Sequence, residues 1–124
     1  MVTTTRGRLP MKVMMIHWID DAALPAVGSA EEVAFDQDID VWDAEMRRRS
    51  VLAGGGRLEP VSTATKISMR DGEVLVTDGP FAETKEQIAG YIVLECADLA
   101  EAIEISSRHP TVRYGGFELR PLAD

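Results

Sequence analysis

The chain of 124 residues has a single cysteine and two histidines, and aromatic residues make up only 6% of it. One cysteine, Cys96, excludes an intramolecular disulfide and a structural zinc site, and it is typical of a reducing compartment. The histidines do not stand at ligand spacing, so we expect no metal. No glycine-rich loop of the dinucleotide- or phosphate-binding type opens a helix, so we expect no cofactor.

Long apolar runs and excess positive charge are also missing. No stretch approaches the roughly 20 apolar residues that a membrane-spanning helix needs, and the N-terminus lacks the apolar core of a secretion signal. The net charge of −8 argues against nucleic-acid binding, which requires a concentrated basic face. We expect a cytoplasmic protein without membrane contact. Residues 1–10 are predicted to form a disordered or extended N-terminal extension, and residues 11–124 a single domain.

The periodicity of apolar residues indicates two helices and about five strands. Capping boxes beginning at Ser29 and Asp98 open the helices. Apolar residues on one face of the first helix recur at spacings of four, three and four: Phe35, Ile39, Trp42 and Met46. We expect this helix to end by the glycine triplet 54–56, because glycine tolerates the positive φ of a helix C-terminus. Strand-like runs cover residues 11–19, 88–96 and 117–121.

The dipeptide Asp71-Gly72 predicts a two-residue hairpin between the runs TATKISMR and EVLVTD. A type I′ turn pairs Thr65 with Asp78, so side-chain alternation places Asp78 on an apolar face. That face also contains Ile67, Met69, Val74 and Val76. The element order predicts an α+β fold, with one ferredoxin-like antiparallel sheet that includes the hairpin and with both helices on one face. Apolar residues on the other sheet face predict a homodimer.

The stretch VTDGPFAETKEQIAGY, residues 76–91, resembles the DGPF-type proteins of the YCII-related superfamily. The runs KVMMI, GRLEP, DLAEAIEISSRHP and FELRP extend this resemblance over nearly the whole chain from Met11. The resemblance implies a dimeric ferredoxin-like α/β barrel, with a cleft between the helices or sheet edges and the partner subunit. Some relatives are linked to extracytoplasmic-function sigma factors, which implies a regulatory context and a sigma-factor-linked partner.

The resemblance also implies a histidine–aspartate pair, which is proposed as catalytic in YCII proteins proper. His17 does not stand at the position of the motif histidine, and His109 lies at the predicted end of the second helix, which stops at His109-Pro110. Asp78 is therefore the leading catalytic candidate, because a carboxylate in an apolar cleft has a raised pKa and serves as a general acid or base. His17 and Asp43 are its candidate helpers. The alternative, which we favour, is that Asp78 fixes the turn by accepting backbone N–H groups.

The remaining candidates are less specific. Residues predicted to line a cleft are Phe81, Thr84, Lys85, Trp42 and Trp18. Gly79 and Pro80 are interpreted as conformational, and Glu118 and Arg120 share one face of the last strand, where an edge-strand or dimer role fits them.

Three functions stay open at this point. The favoured one is a homodimer that binds a small molecule or acts as a regulatory accessory, with a possible link to a sigma factor. The second is a small enzyme of the isomerase or lyase type that uses Asp78 for acid–base chemistry on a small organic substrate. The third is a pure interaction module.

Overall fold

The computed structural model describes residues 10–79 and 86–123. Its strands are β1 (Met11–Asp20), β2 (Leu52–Arg57), β3 (Thr65–Arg70), β4 (Glu73–Asp78), β5 (Glu86–Cys96) and β6 (Gly115–Pro121). Its helices are α1 (Ala30–Arg48) and α2 (Leu99–Ser107), with short 3₁₀ turns at Asp21–Ala23, Val61–Thr63 and Pro110–Arg113. Most of the predicted N-terminal extension lies outside the described residues, as do Pro80, Phe81, Thr84 and Lys85. Within those ranges, neither helix combines the length and apolar character needed to cross a membrane.

Four strands form an antiparallel sheet in the order β2-β5-β1-β6. Alternate residues of the two central strands, Val13 and Met15 on β1 and Leu94 on β5, are fully buried on one face. Side chains from both helices complete this core, so both helices cover the same face: Trp42, Met46, Ala102 and Ile105. The predicted ferredoxin-like α+β class is therefore confirmed.

The two helices begin at the predicted capping residues and are tied to each other near the C-terminal end of α1. The Ser29 hydroxyl accepts the Glu32 N–H at 3.1 Å, and the Asp98 carboxylate accepts the Glu101 N–H at 2.9 Å. The indole N–H of Trp42 donates to the carbonyl oxygen of Ile105 at 3.0 Å. This bond holds the second half of α1 against α2. It does not hold the first half of α1.

The predicted hairpin is present with the predicted register, in which Arg70 faces Glu73 and Thr65 faces Asp78. Asp71 and Gly72 adopt φ angles of 53° and 81°, as a type I′ turn requires. The expectation of one sheet is wrong, however, because β3 and β4 form a separate two-stranded sheet. Asp78 shares the apolar face of this hairpin as predicted, but the described part of that face is exposed to solvent.

The glycine triplet does not end α1, which corrects the expectation above. The helix ends at Arg48, and Ser50 takes the left-handed φ of 57° two residues later. Gly54, Gly55 and Gly56 instead lie in β2 and pair with β5. The reason is steric: a Cβ at Gly55 would lie 2.6 Å from the carbonyl oxygen of Tyr91, so the close approach of β2 to β5 requires glycine there.

Candidate ligand-binding site

A cleft runs beneath α1 and consists of two adjoining cavities that share His17, Ile39 and Arg57. The first, of about 450 Å³, lies under the second half of α1 and is called the histidine cavity. Its polar walls include His17, Asp43, Arg57 and His109. The second, of about 550 Å³, lies between the first half of α1 and the loop after β1, and is called the loop cavity. Both volumes fall within the range of small-molecule sites.

The cleft exists because small residues form its floor. Ala53 and the three glycines of β2 line the histidine cavity, and Ala89 of β5 lines the loop cavity. Gly90 next to it is buried, and a Cβ there would lie 2.7 Å from the carbonyl oxygen of Gly56. Residues without bulk on both strands therefore leave open space between the sheet and α1, although helices normally pack tightly against sheets.

His109 forms the inner wall of the histidine cavity. Proline ends α2 nearby, since Pro110 cannot continue a helix, and the chain enters a 3₁₀ turn whose Thr111 N–H donates to Nδ1 of His109 at 3.1 Å. The ring is only 4% exposed and packs against Trp42 at a centroid distance of 4.6 Å. With Nδ1 occupied as an acceptor, the neutral ring carries its proton on Nε2. His109 is among the residues that line the cavity.

Both histidines are held neutral at physiological pH. Burial, and to a smaller extent the charge of His17, lowers the pKa of His109 from 6.5 to about 4, against an opposing contribution from Asp43. Burial followed by the charge of Arg57 lowers the pKa of His17. The two rings lie 6.1 Å apart between centroids, and Nε2 of His17 is 3.4 Å from the Thr111 hydroxyl. A neutral imidazole has one donor and one acceptor, and the acceptor of His109 is already occupied by the Thr111 N–H.

The charged groups of the cleft differ in how they are paired. Asp43 accepts the Nε–H of Arg47 at 2.7 Å, so these two charges largely cancel. No such ion pair ties Arg57 to a carboxylate within the part of the chain that the structure describes. The histidine cavity therefore presents one uncompensated cation beside two neutral imidazoles, in a chain whose net charge is −8. No cluster of three or more metal-ligating side chains occurs in the described ranges.

The structure brings together three of the predicted site residues, because His17, Trp42 and Asp43 all line the histidine cavity. Asp78 does not join them, since it lies exposed on the hairpin and lines neither cavity. Trp18 also lies outside both cavities. Its indole packs on Gly116, where a Cβ would approach it to 2.8 Å.

The other predicted site residues lie outside the cleft. Gly79 has a φ of 97°, and its N–H donates to the Ala64 carbonyl oxygen at 2.7 Å, which closes the open end of the hairpin. Glu118 and Arg120 lie on β6, an edge strand, and form an exposed ion pair at 3.2 Å. The cleft roles assigned to Phe81, Thr84 and Lys85 concern residues outside the described ranges.

Sequence reasoning missed two residues that define the cleft. The sequence marks His109 only as a helix end beside Pro110, and Arg57 only as part of the run GRLEP. A signal for both exists in the sequence. His109 is one of just two histidines, and Arg57 directly follows three glycines, a run that leaves room for a ligand when it lies in a strand.

Two comparisons with known proteins bear on the chain as a whole. A family model described as "YCII-related domain" matches residues 11–124. The "Uncharacterized protein R00369" of Rhizobium meliloti (strain 1021) is 33% identical over 117 residues, which cover 91% of this chain and 93% of that protein. Neither description states a ligand or a reaction.

The lowered histidine pKa values predict a loss of stability on mild acidification. Between pH 6.5 and 4, His109 is protonated in the unfolded chain but neutral in the folded protein. The free energy of unfolding therefore falls as the pH falls. From pH 7 to pH 5 the loss from His109 is about 2 kcal/mol. Urea denaturation at both pH values measures it, and the variant His109→Asn should lose less than the wild type.

Nuclear magnetic resonance titration of the two imidazoles gives an independent check that does not depend on whether the variant folds. The expected result is a pKa near 4 for His109 and a value below 6.5 for His17. Two pKa values at or above 6.5 would contradict the buried, neutral arrangement.

Proposed function

This chain belongs to the YCII-related domain family, and we propose that it binds a small organic acid in the histidine cavity. The observation that carries the proposal is the position of Arg57, a cation without an ion pair among the described residues, beside His17 and His109. A carboxylate is the natural partner of such a group, because charge-assisted hydrogen bonds to guanidinium are short and strong. The regulatory link to a sigma factor rests on family resemblance alone and stays a prediction.

Neutral imidazoles suit this ligand better than charged ones would. A neutral His109 offers its Nε2–H to the bound acid without adding a second positive charge that burial would penalise. The cavity thus combines one charged anchor with directional donors, and Trp42 provides an apolar wall 5% exposed to solvent. This division of roles is typical of small-molecule sites, where a few polar groups orient a ligand against apolar side chains.

Removing the charge of Arg57 tests the proposal directly. In a Trp18→Phe background Trp42 is the remaining tryptophan, and its fluorescence reports butyrate binding at pH 7. Arg57→Gln should raise the Kd about tenfold or more, since hydrogen bonds to charged groups contribute roughly 1.5–3 kcal/mol. The matched control Arg48→Gln removes an exposed arginine of α1 that lines neither cavity and should leave the Kd within twofold. Equal effects of the two variants would contradict a specific anchor.

The histidine pair favours acid–base catalysis as a second candidate function. With Nδ1 of His109 bound to the backbone, His17 is the group with the freer choice of tautomer and can accept a proton from the ligand. This chemistry belongs to the isomerase or lyase class, and it places the base on His17, whereas the sequence pointed to Asp78.

Exchange in heavy water tests this second candidate. A panel of 3-oxo acids and β,γ-unsaturated acids, whose C–H bonds next to the carbonyl are acidic, should incorporate deuterium at that carbon faster with the protein than without it. His17→Gln should abolish the acceleration, whereas Asp78→Asn should retain it. Loss of the acceleration only with Asp78→Asn would return the catalytic role to the hairpin carboxylate.

We also propose that a second copy of the chain covers the apolar face of the hairpin. Ile67, Met69, Val74 and Val76 on this face are 60–70% exposed, and a two-stranded hairpin is marginally stable without a packing partner. Exposed apolar patches of this kind mark association surfaces. A sheet normally buries one of its two faces, but no described residue of the same chain covers this one.

Sedimentation at micromolar concentration measures the association. The wild type should sediment at about 27 kDa, twice the chain mass of 13.6 kDa. Charges placed on the apolar face by Ile67→Lys with Val76→Lys should give a monomer. The matched pair Ser68→Lys with Thr77→Lys, on the opposite face of the same strands, should leave the dimer intact. A monomeric wild type would refute this part of the proposal.

A further inference from the structure

The two cavities of the cleft differ in chemistry although they share three residues. The loop cavity is lined mainly by apolar side chains: Ile19, Leu24, Pro25, Val27, Phe35 and Leu58. Several of these are poorly covered by the rest of the chain, since Val27 is 93% exposed and Leu24 37%. His109 and Arg47, in contrast, which have polar hydrogens, line only the histidine cavity. The cleft therefore has a polar compartment and an apolar compartment that meet at Arg57 and His17.

The charges of the loop cavity are all negative apart from the shared arginine. Asp21, Glu32 and Asp36 line it, and Glu32 is already engaged with the Gly28 N–H at 2.8 Å. A second anionic group on a ligand would meet these carboxylates and lose its hydration without gaining a cation. A hydrocarbon tail meets no such penalty, and burying it is favourable by roughly 0.8 kcal/mol per methylene group.

We propose that the ligand is an amphipathic monocarboxylic acid, with its carboxylate at Arg57 and His17 and its hydrocarbon tail in the loop cavity. This inference rests on the proposed function and adds the ligand class. The opposite orientation would place the tail against His109 and leave its Nε2–H without an acceptor, which is costly. The tail therefore follows the first half of α1 toward Phe35 and the loop after β1.

A series of straight-chain acids tests the proposal through nuclear magnetic resonance titrations at constant pH and ionic strength. From acetate through butyrate and hexanoate to octanoate, the Kd should fall about three- to fourfold per added methylene. Octanedioate, which has the length of octanoate but a second carboxylate, should bind at least tenfold more weakly than octanoate. A Kd that is the same for all four monocarboxylates, or equal for octanoate and octanedioate, would overturn the inference.

Two variants locate the tail. Leu24→Asp adds a charge to the loop cavity and should flatten the dependence of Kd on chain length. Leu122→Asp changes a comparably exposed leucine (41%) that lines neither cavity and should keep the wild-type dependence. An unchanged dependence in Leu24→Asp would overturn the placement of the tail.

The outcomes separate this inference from the proposed function. If all the monocarboxylates bind with one common affinity, and Arg57→Gln weakens that affinity, the anion site is supported and the role of the apolar compartment is refuted. Absence of binding for every acid in the series removes both.

Discussion

The cleft depends on the close approach of β2 to β5. Backbone atoms of the two strands come so near that a Cβ at Gly55 would lie 2.6 Å from the Tyr91 carbonyl oxygen, and one at Gly90 would lie 2.7 Å from that of Gly56. Glycine is therefore required on both strands. Because glycine has no side chain, the sheet has little bulk beneath α1, and this opens the cleft. Arg57 lies at the end of β2, directly after the glycines.

The charges of the histidine cavity differ from those of the chain as a whole, which is acidic. Burial keeps His109 and His17 neutral, and the Asp43–Arg47 pair cancels most of its own charge. Among the described residues that line the cleft, Arg57 is left as the cation without an ion pair. A chain with a net charge of −8 repels anions at long range, so the proposed selectivity for an organic acid depends on short-range contacts inside the cleft.

Local patterns in the sequence predicted local structure well. The Asp71-Gly72 turn determined every pair of the hairpin register, and Ser29 and Asp98 marked both helix starts. Such features depend on neighbouring residues only. The failures concern contacts between distant segments: alternation shows which face Asp78 shares but not whether anything covers that face, and the hairpin in fact stands apart from the main sheet.

The glycine triplet and His109 illustrate the same limit. Glycine serves both helix ends and closely paired strands, and the strand that decides between them, β5, lies more than thirty residues further along the chain. The Pro110 signal correctly predicted a helix end, but the burial of His109 against Trp42 and Phe117 depends on tertiary packing. Candidate residues for the cleft could thus be named only in part: His17, Trp42 and Asp43 were found, and Arg57 and His109 were not.

The ¹⁵N spectrum of the histidine side chains at pH 7, recorded without and with octanoate, tests both the protonation of the cleft and its occupancy. We expect His109 to be neutral with its proton on Nε2, because the Thr111 N–H occupies Nδ1, and we expect octanoate to shift the ring nitrogens of both histidines. A protonated His109, a proton on its Nδ1, or a spectrum that octanoate leaves unchanged would contradict these expectations.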